Sequence, residues 1–314
     1  MYSKNIRFSI VIIHRNNFDR LSKVLETVIK YKQVNDEIIV IDNFSSDDSI
    51  KKLEKTYSLN QIKVIKNNCN AGYGLACNQG MHAARGEFFL LCDNDIELKS
   101  DTLEKFEMFL RLDPYAGLIG PQMFSPLGKR MNSYSTQTPG LLSQLDLIGR
   151  TYRSKKINKF DQVSILRGAC LAVNRKMTNE IGMYDEEFYF YHEETEWCIR
   201  INKSMKWKVM FAPEIQISHI GGASTSSLFP ESRIEFFRSR LILWPKVFPR
   251  HKVIILYLWN IPKIILDLLF YLLLTIITLG MNRKYKNKFV DRLMQITWLI
   301  SGKPKSWGLP DKCI

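Results

Sequence analysis

Through its first 93 residues the chain alternates two kinds of segment. Phe8 to Ile13, Glu37 to Ile41, Ile62 to Ile65 and Phe88 to Cys92 are short, nearly continuous apolar runs, and they predict buried strands. Asp19 to Tyr31 instead spaces Leu21, Val24, Leu25, Val28 and Ile29 as one face of a helix. Ser46 or Asp47 is placed to cap a second helix running to about Tyr57, and Gly74 to Ala84 predicts a third. Continuous apolar strands alternating with helices predict an α/β fold, a parallel sheet covered on both faces. Such sheets bind ligands outside the carboxyl ends of their strands. Here each of those ends is polar: His14-Arg15-Asn16-Asn17, Asp42-Asn43, Asn67 to Asn70, and Asp93-Asn94-Asp95.

After Asp113-Pro114 the pattern loosens. Leu118 to Pro121 and Gln122 to Phe124 predict short strands. Residues 125–161 are rich in Ser, Thr, Gly and Pro and predict a loop with a short helix around 141–148. Ser164 to Asn174 predicts a strand, and Arg175 to Ile181 a helix stopped by Gly182. The second half of Phe188 to Trp207 reads as helix. Lys208 to Ala212, ended by Pro213, and Ile215 to Ile220 read as strands. A helical section starts near Pro230.

Charge changes the picture of that last section. Residues 230–314 hold 15 Lys and Arg against 5 Asp and Glu, a net +10 out of the chain's +14. Nucleic acid or an anionic membrane surface would each suit a basic section. Its apolar content favours the membrane. Val253 to Tyr257 and Ile264 to Leu279 are strongly apolar, with Asn260, Pro262 and Lys263 interrupting them. The second run falls short of the roughly 20 residues a span needs. Lys and Arg flank it, and Trp244, Trp259, Trp298 and Trp307 are scattered around it. The expectation is interfacial amphipathic helices and peripheral attachment, with no nucleic-acid partner; the alternative is an ordinary helical subdomain with a basic face.

Hydrophobic residues make up 46% of 314, enough for a sizeable core. The six cysteines lack a CxxC or zinc spacing, and Cys92 and Cys170 read as buried free thiols. Met1 to Arg7 is polar and the apolar run after it is short, so no signal peptide is expected. No Walker loop is present and no Gly-x-Gly-x-x-Gly opens the first helix, which argues against P-loop and NAD chemistry. Asp93 and Asp95, at the open end of a buried strand, need compensation. A divalent cation with a diphosphate would supply it, because hard cations prefer oxygen ligands; a polar turn that caps the next helix is the other reading of these residues.

Five segments in order resemble the inverting glycosyltransferases of family 2, with the GT-A fold, and most of all the bacterial rhamnosyltransferase-like subset. They are Phe8 to Asn17 with Leu21; Ile38 to Asn43 with Ser45, Ser46, Asp47 and Ser49; Asn70 to Gly80; Leu91 to Asp95; and Gly182 to Phe188, continuing through Tyr191 to Arg200 and His219 to Ser224. Together they cover about residues 6–250. The resemblance implies a GT-A catalytic domain over 1–229, made of a nucleotide-binding half (1–112) and an acceptor and catalytic half (113–229). The basic, membrane-associating section is then 230–314.

The resemblance also implies residue roles. Asp42 would bind the nucleobase, where a carboxylate accepts from a ring N–H. Asn70 and Asn78 would lie near the nucleotide, and Gly72 would let backbone approach it. Asp93 would contact ribose or sugar, with His14, Asn16 and Asn94 around the nucleotide-sugar. His14 stands where the family often carries Thr or Asn. Asp95 would hold Mg²⁺ or Mn²⁺, with His219 as a second metal or diphosphate ligand. Glu193-Glu194 occupies the position of an acidic pair that is usually Glu-Asp. Its second member, Glu194, would be the general base, and like-charge repulsion from Glu193 would raise its pKa. Trp197 and Arg200 would line the acceptor or diphosphate region, although Arg200 equally suits an ion pair within its own helix.

The implied activity is inverting transfer of a sugar from a nucleoside diphosphate to a lipid-linked or polysaccharide acceptor, in cell-surface glycan synthesis. The implied donor is dTDP-L-rhamnose, and the implied place is the cytoplasmic membrane face. Alternatives are a UDP-sugar donor or a sugar-nucleotide nucleotidyltransferase. A processive synthase would want several spans and a Gln-x-x-Arg-Trp motif, and neither is in the sequence.

Overall fold

A computed structural model describes residues 6–58, 61–145, 155–221, 228–229 and 231–313. They fall into two compact units. The first holds 6–138, 155–189 and 193–221; the second holds 139–145, 190–192 and 228–313. The second unit takes two short stretches, 139–145 and 190–192, from within the range expected as the acceptor and catalytic half.

The first unit opens with the expected alternation: β1 (Phe8–His14), α1 (Phe18–Tyr31), β2 (Glu37–Asp42), α2 (Ser49–Thr56), β3 (Ile62–Lys66), α3 (Tyr73–Ala83) and β4 (Phe88–Asp93). All seven residues of β1 are buried. Phe8, Ile10 and Ile12 pack with Leu21, Val24 and Leu25 of α1, while Val11 and Ile13 pack with Ala76, Cys77 and Met81 of α3. Strand side chains alternate in direction, so an unbroken apolar strand means a sheet covered twice. Cys92 and Cys170 are buried free thiols, as expected.

The second half of the unit adds β5 (Ile96–Glu97), α4 (Thr102–Leu112), β6 (Ala116–Phe124), β7 (Tyr134–Ser135), β8 (Asp161–Gln162), β9 (Ile165–Leu166), β10 (Cys170–Asn174), α6 (Arg175–Ile181), α7 (Glu193–Lys203) and β11 (Lys208–His219). The intervening α5 (Leu141–Gln144) belongs to the other unit. Among the described residues the main sheet runs β3-β2-β1-β4-β10-β6-β11-β5, with β8 on β11. The strands from β3 to β4 are parallel, β10 is antiparallel to β4 and β6, and β6 and β11 are parallel again.

Three details differ from the sequence reading. The two short strands around Pro121 are one, β6. The two around Pro213 are also one, because β11 shifts register between Ala212 and Gln216 and so carries the proline outside the ladder. Conversely Ser164 to Asn174 is two strands, broken at Arg167 to Ala169. The short helix ends at Gln144, and the rest of its expected range lies outside the described residues.

The second unit contains α8 (Glu231–Val247), α9 (Arg250–Ile277) and α10 (Arg283–Ile300), packed around Phe237, Trp244, Leu256 and Trp298. The two apolar runs expected on either side of Pro262 form the single 28-residue α9. Asn260 and Lys263 do not interrupt it because their side chains are partnered: Asn260 accepts from Arg240 at 2.7 Å and Lys263 pairs with Asp267 at 2.7 Å.

Candidate active site

Sheet register gathers the polar strand ends along one edge. His14 is paired with Asp42, and Asp42 with Lys66; Ile13 is paired with Asp93. Because β10 runs against β4, the Arg167-to-Ala169 break meets the end of β4, where the Asp93 N–H donates to the Ala169 carbonyl at 2.9 Å. Because β11 runs against β5, His219 pairs with Ile96 and is delivered to the Asp93-Asn94-Asp95 turn.

Asp93, Asp95 and His219 offer one ligand atom each within 4.8 Å of one another. His219 Nε2 lies 3.2 Å from Asp95 Oδ1 and 3.8 Å from Asp93 Oδ2. Asp95 Oδ1 and His219 Nδ1 are buried and make no hydrogen bond. A buried carboxylate oxygen without a hydrogen-bond partner costs free energy unless something else satisfies it. Two carboxylates and an imidazole are ordinary donors for Mg²⁺- or Mn²⁺-class ions, so the residues present fit a divalent cation. The sequence placed Asp95 and His219 on the metal; the geometry adds Asp93 as a third candidate ligand. Burial first, then the Asp95 charge, pushes the Asp93 carboxyl up to about 7. His219 is raised: the carboxylates of Asp95 and Asp93 outweigh burial, the largest single influence, which works the other way.

Glu193 and Glu194 open α7 beside this cluster. A Cβ on Gly168 would touch Glu194, and one on Gly74 would touch Glu193. Tyr73 reaches across from α3 to donate its hydroxyl to the Gly168 carbonyl at 2.8 Å. Glu193 is buried and its Oε2 has no partner. Burial, then repulsion from Glu194, pushes its carboxyl well above the usual range. Glu194 is more open and is also raised, by burial, with the positive charge of Arg167 opposing. Neighbouring acids in unlike surroundings are a frequent mark of acid–base chemistry.

The remaining expected residues are held by hydrogen bonds within the protein. Asn94 Nδ2 donates to His14 Nδ1 at 3.0 Å, which leaves His14 Nε2–H to donate to Ser49 Oγ at 2.8 Å. Ser49 in turn donates to Asp47 Oδ1, and Asp47 Oδ2 accepts from the Asn17 N–H. His14 is fully buried, and that burial drops its pKa to about 4, keeping the ring neutral. It therefore holds the Asp93-to-Asp95 turn from behind. Asn16 Oδ1 accepts from the Ser46 N–H, and Asp42 Oδ1 from the Ser45 N–H.

Asn70 Oδ1 accepts from Asn43 Nδ2 and from the Gly72 N–H. Gly72 has φ 84°, and a Cβ there would collide with the Tyr189 carbonyl, so this turn requires glycine. Asn78 is turned toward Tyr184 and Glu186 and pins that segment. Trp197 is fully buried and donates to the Gly182 carbonyl. Arg200 pairs with Glu196 of its own helix and donates to the Ile181 and Met183 carbonyls, the second of its two expected roles.

Two residues carry roles that the sequence did not assign. Asn43 is the hub of the strand-end network, accepting from Ala71 N–H and Asn67 while donating to Asn70 and the Gly72 carbonyl. Arg167 has no motif, since only the break between β9 and β10 brings it near Glu194.

Comparison with known proteins agrees with this layout. The chain is similar to the N-acetylglucosaminyl-diphospho-decaprenol L-rhamnosyltransferase of Mycobacterium tuberculosis, at 23% identity over 60% of this chain and 67% of the relative. It is similar to the low-salt glycan biosynthesis hexosyltransferase Agl10 of Haloferax volcanii, at 23% identity over 53% of each chain, so it spans about half of that relative's length. Its fold is shared with a mannosyltransferase of Pyrobaculum calidifontis, solved with GDP-Man and Mn²⁺ (TM-score 0.54, 16% identity, 95% of this chain and 87% of that one). It is also shared with GalNAc-T7, solved with UDP, GalNAc and Mn²⁺ (TM-score 0.57, 19% identity, 77% of this chain and 48% of that one). Residues 9–182 match the family model; Asp42, Asp93 and Asp95 lie inside that range, and Glu193, Glu194 and His219 beyond it. With more than half of its length matched and the GT-A sheet in place, the chain belongs to glycosyl transferase family 2.

Proposed function

We propose that the protein is a metal-dependent, inverting sugar transferase acting on a nucleoside-diphosphate sugar and a saccharide acceptor. The observation that carries this is the meeting of the acid–imidazole cluster of Asp93, Asp95 and His219 with the neighbouring acids Glu193 and Glu194 at one sheet edge. Glu194 takes the acceptor hydroxyl proton as its oxygen attacks the anomeric carbon from the face opposite the leaving nucleoside diphosphate. A carboxyl raised above the ordinary range suits that work, because it holds the proton more firmly near neutral pH. Burial and the neighbouring Glu194 charge raise the Glu193 carboxyl further than Glu194, which leaves Glu194 the better placed of the two to act as the base. A divalent cation held by Asp95 and His219, with Asp93 beside it, would offset the charge that develops on the diphosphate.

The sugar we favour is L-rhamnose and the acceptor a lipid-linked saccharide, on the strength of the Mycobacterium tuberculosis relative, with dTDP as its carrier following from the rhamnosyltransferase-like sequence segments. A UDP-sugar donor is the second reading, because Asp42 at the end of β2 presents a carboxylate that suits thymine and uracil equally. Calorimetry with dTDP-, UDP- and GDP-sugars, each with and without Mn²⁺, tests both. Cation-dependent binding of one thymidine or uridine donor is expected. Absence of binding by every donor contradicts the transferase reading for this site.

A further inference from the structure

The second unit presents a helix whose polarity is inverted. Leu258, Leu266, Leu269, Phe270, Leu273 and Ile277 of α9 are each more than half exposed. At 3.6 residues per turn they fall within an arc of about 120°. The opposite side carries Asn260 and Asp267, and there the polar groups are partnered: Arg240 on Asn260, Lys263 and Arg292 on Asp267. A water-facing helix has its apolar stripe inward. This one turns it outward, over a length of about 30 Å from Leu258 to Ile277.

We propose that α9 lies flat in the interfacial layer of an anionic lipid bilayer, with the Leu258-to-Ile277 face among the acyl chains. Two observations choose the occupant and the orientation. The first is charge. Arg250, Arg283, Lys284 and Lys286 are exposed at the two ends of the apolar face, where they meet lipid phosphates. A second copy of the chain would bring those cations against like charge. The second is α10. It packs along α9, is tied to its middle through Arg292 and Asp267 at 3.0 Å, and carries six charged residues in its eighteen. Although α9 is long enough to cross a membrane, a crossing would draw the middle of α10, with Asp291 and Arg292, to hydrocarbon depth, where ionised side chains are costly. Lying flat leaves α10 on the water side. This proposal is independent of the sugar-transfer reading: donor binding and vesicle binding are separate measurements, and either can fail alone.

The test is flotation of the full chain with sealed vesicles of phosphatidylglycerol in phosphatidylcholine, and of phosphatidylcholine alone. Binding to the anionic vesicles is expected. Leu266→Glu, Leu269→Glu and Leu273→Glu together lower the partition coefficient at least tenfold, while circular dichroism and melting temperature report the fold. Leu269→Ser serves as a milder variant and lowers it severalfold. Lys284→Ala with Lys286→Ala weakens binding to anionic vesicles alone. Single cysteines replacing His251 and Met281 both react with an impermeant maleimide added outside. Protection of one site means that α9 crosses and overturns the flat orientation. A wild type that stays off vesicles, and a dimer that the triple variant splits, overturn the lipid assignment in favour of a second copy.

Discussion

Two stretches of the same sheet edge treat their polar residues in opposite ways. At the ends of β1, β2 and β3, His14, Asn16, Asp42, Asn43 and Asn70 are hydrogen-bonded to one another or to backbone. At the ends of β4 and β11 and the start of α7, Asp95 Oδ1, His219 Nδ1 and Glu193 Oε2 are buried without a hydrogen bond. The satisfied stretch is shaped by the protein's own hydrogen bonds and is fitted to position a nucleotide rather than to react with it. In the second stretch burial is offset in part by charge, since His219 Nε2 lies 3.2 Å from Asp95 Oδ1, and a ligand or a shifted proton would offset the rest. Chemistry is therefore expected from the second stretch and support from the first.

The sharpest way to break that division is at Glu194. Glu194→Gln keeps the shape and removes the base. We expect turnover to fall about 10²–10⁴-fold, the range for general-base catalysis, with donor affinity unchanged within about twofold. Full turnover in this variant would move the base elsewhere, with Glu193 the next candidate.

His14 tests the supporting stretch. Its pKa is depressed from 6.5 to about 4, so between those values the unfolded chain binds a proton that the folded chain refuses. Stability from this group is complete above pH 6.5 and is lost as pH falls through about 4. The loss amounts to about 3 kcal/mol at 1.36 kcal/mol per unit. Denaturation at pH 7.5 and 4 should show wild type losing about that much more than His14→Gln, which has no ring to protonate. Equal losses would mean that the His14 ring is not held neutral between Asn94 and Ser49.

How far the sequence revealed this contrast follows from which interactions are local. Period-two burial and helix spacing are local, so β1 to β4 with α1 to α3 emerge within a residue or two. Asp95, His219 and Glu194 stand out in the sequence as candidates because their motifs are local. What they touch does not, since β10 reverses direction and β11 must bulge past Pro213 before His219 meets Asp95. His14 and Asn78 looked like ligand contacts because strand-end polar residues often are. Only the fold shows that Ser49, Asn94 and Tyr184 already occupy them. The continuity of α9 was hidden for a related reason, because inward-facing Asn260 and Lys263 read as interruptions until their partners are known.

Asp95→Asn probes the unsatisfied stretch from the metal side. It keeps one acceptor oxygen and removes the charge. Mn²⁺-dependent donor binding should weaken at least tenfold by calorimetry, while binding without the cation stays level. An unchanged cation dependence would leave Asp93 and His219 as sufficient ligands.

The smallest expected effect comes from Arg167, and it asks where the boundary between the two stretches falls. Arg167 sits in the break between β9 and β10, and its positive charge opposes the rise that burial imposes on Glu194. It is exposed, so solvent screens most of its charge. Arg167→Ala removes a stabiliser of the Glu194 carboxylate, so the Glu194 pKa rises further. The base is active when deprotonated, and the acid limb of the kcat/KM profile should therefore move to higher pH, by less than about one unit. Activity on the alkaline side of that limb should hold if Arg167 acts only through Glu194. A fall at every pH would instead place the guanidinium on the substrate, making the β9–β10 break part of the binding surface as well as a tuner of the base.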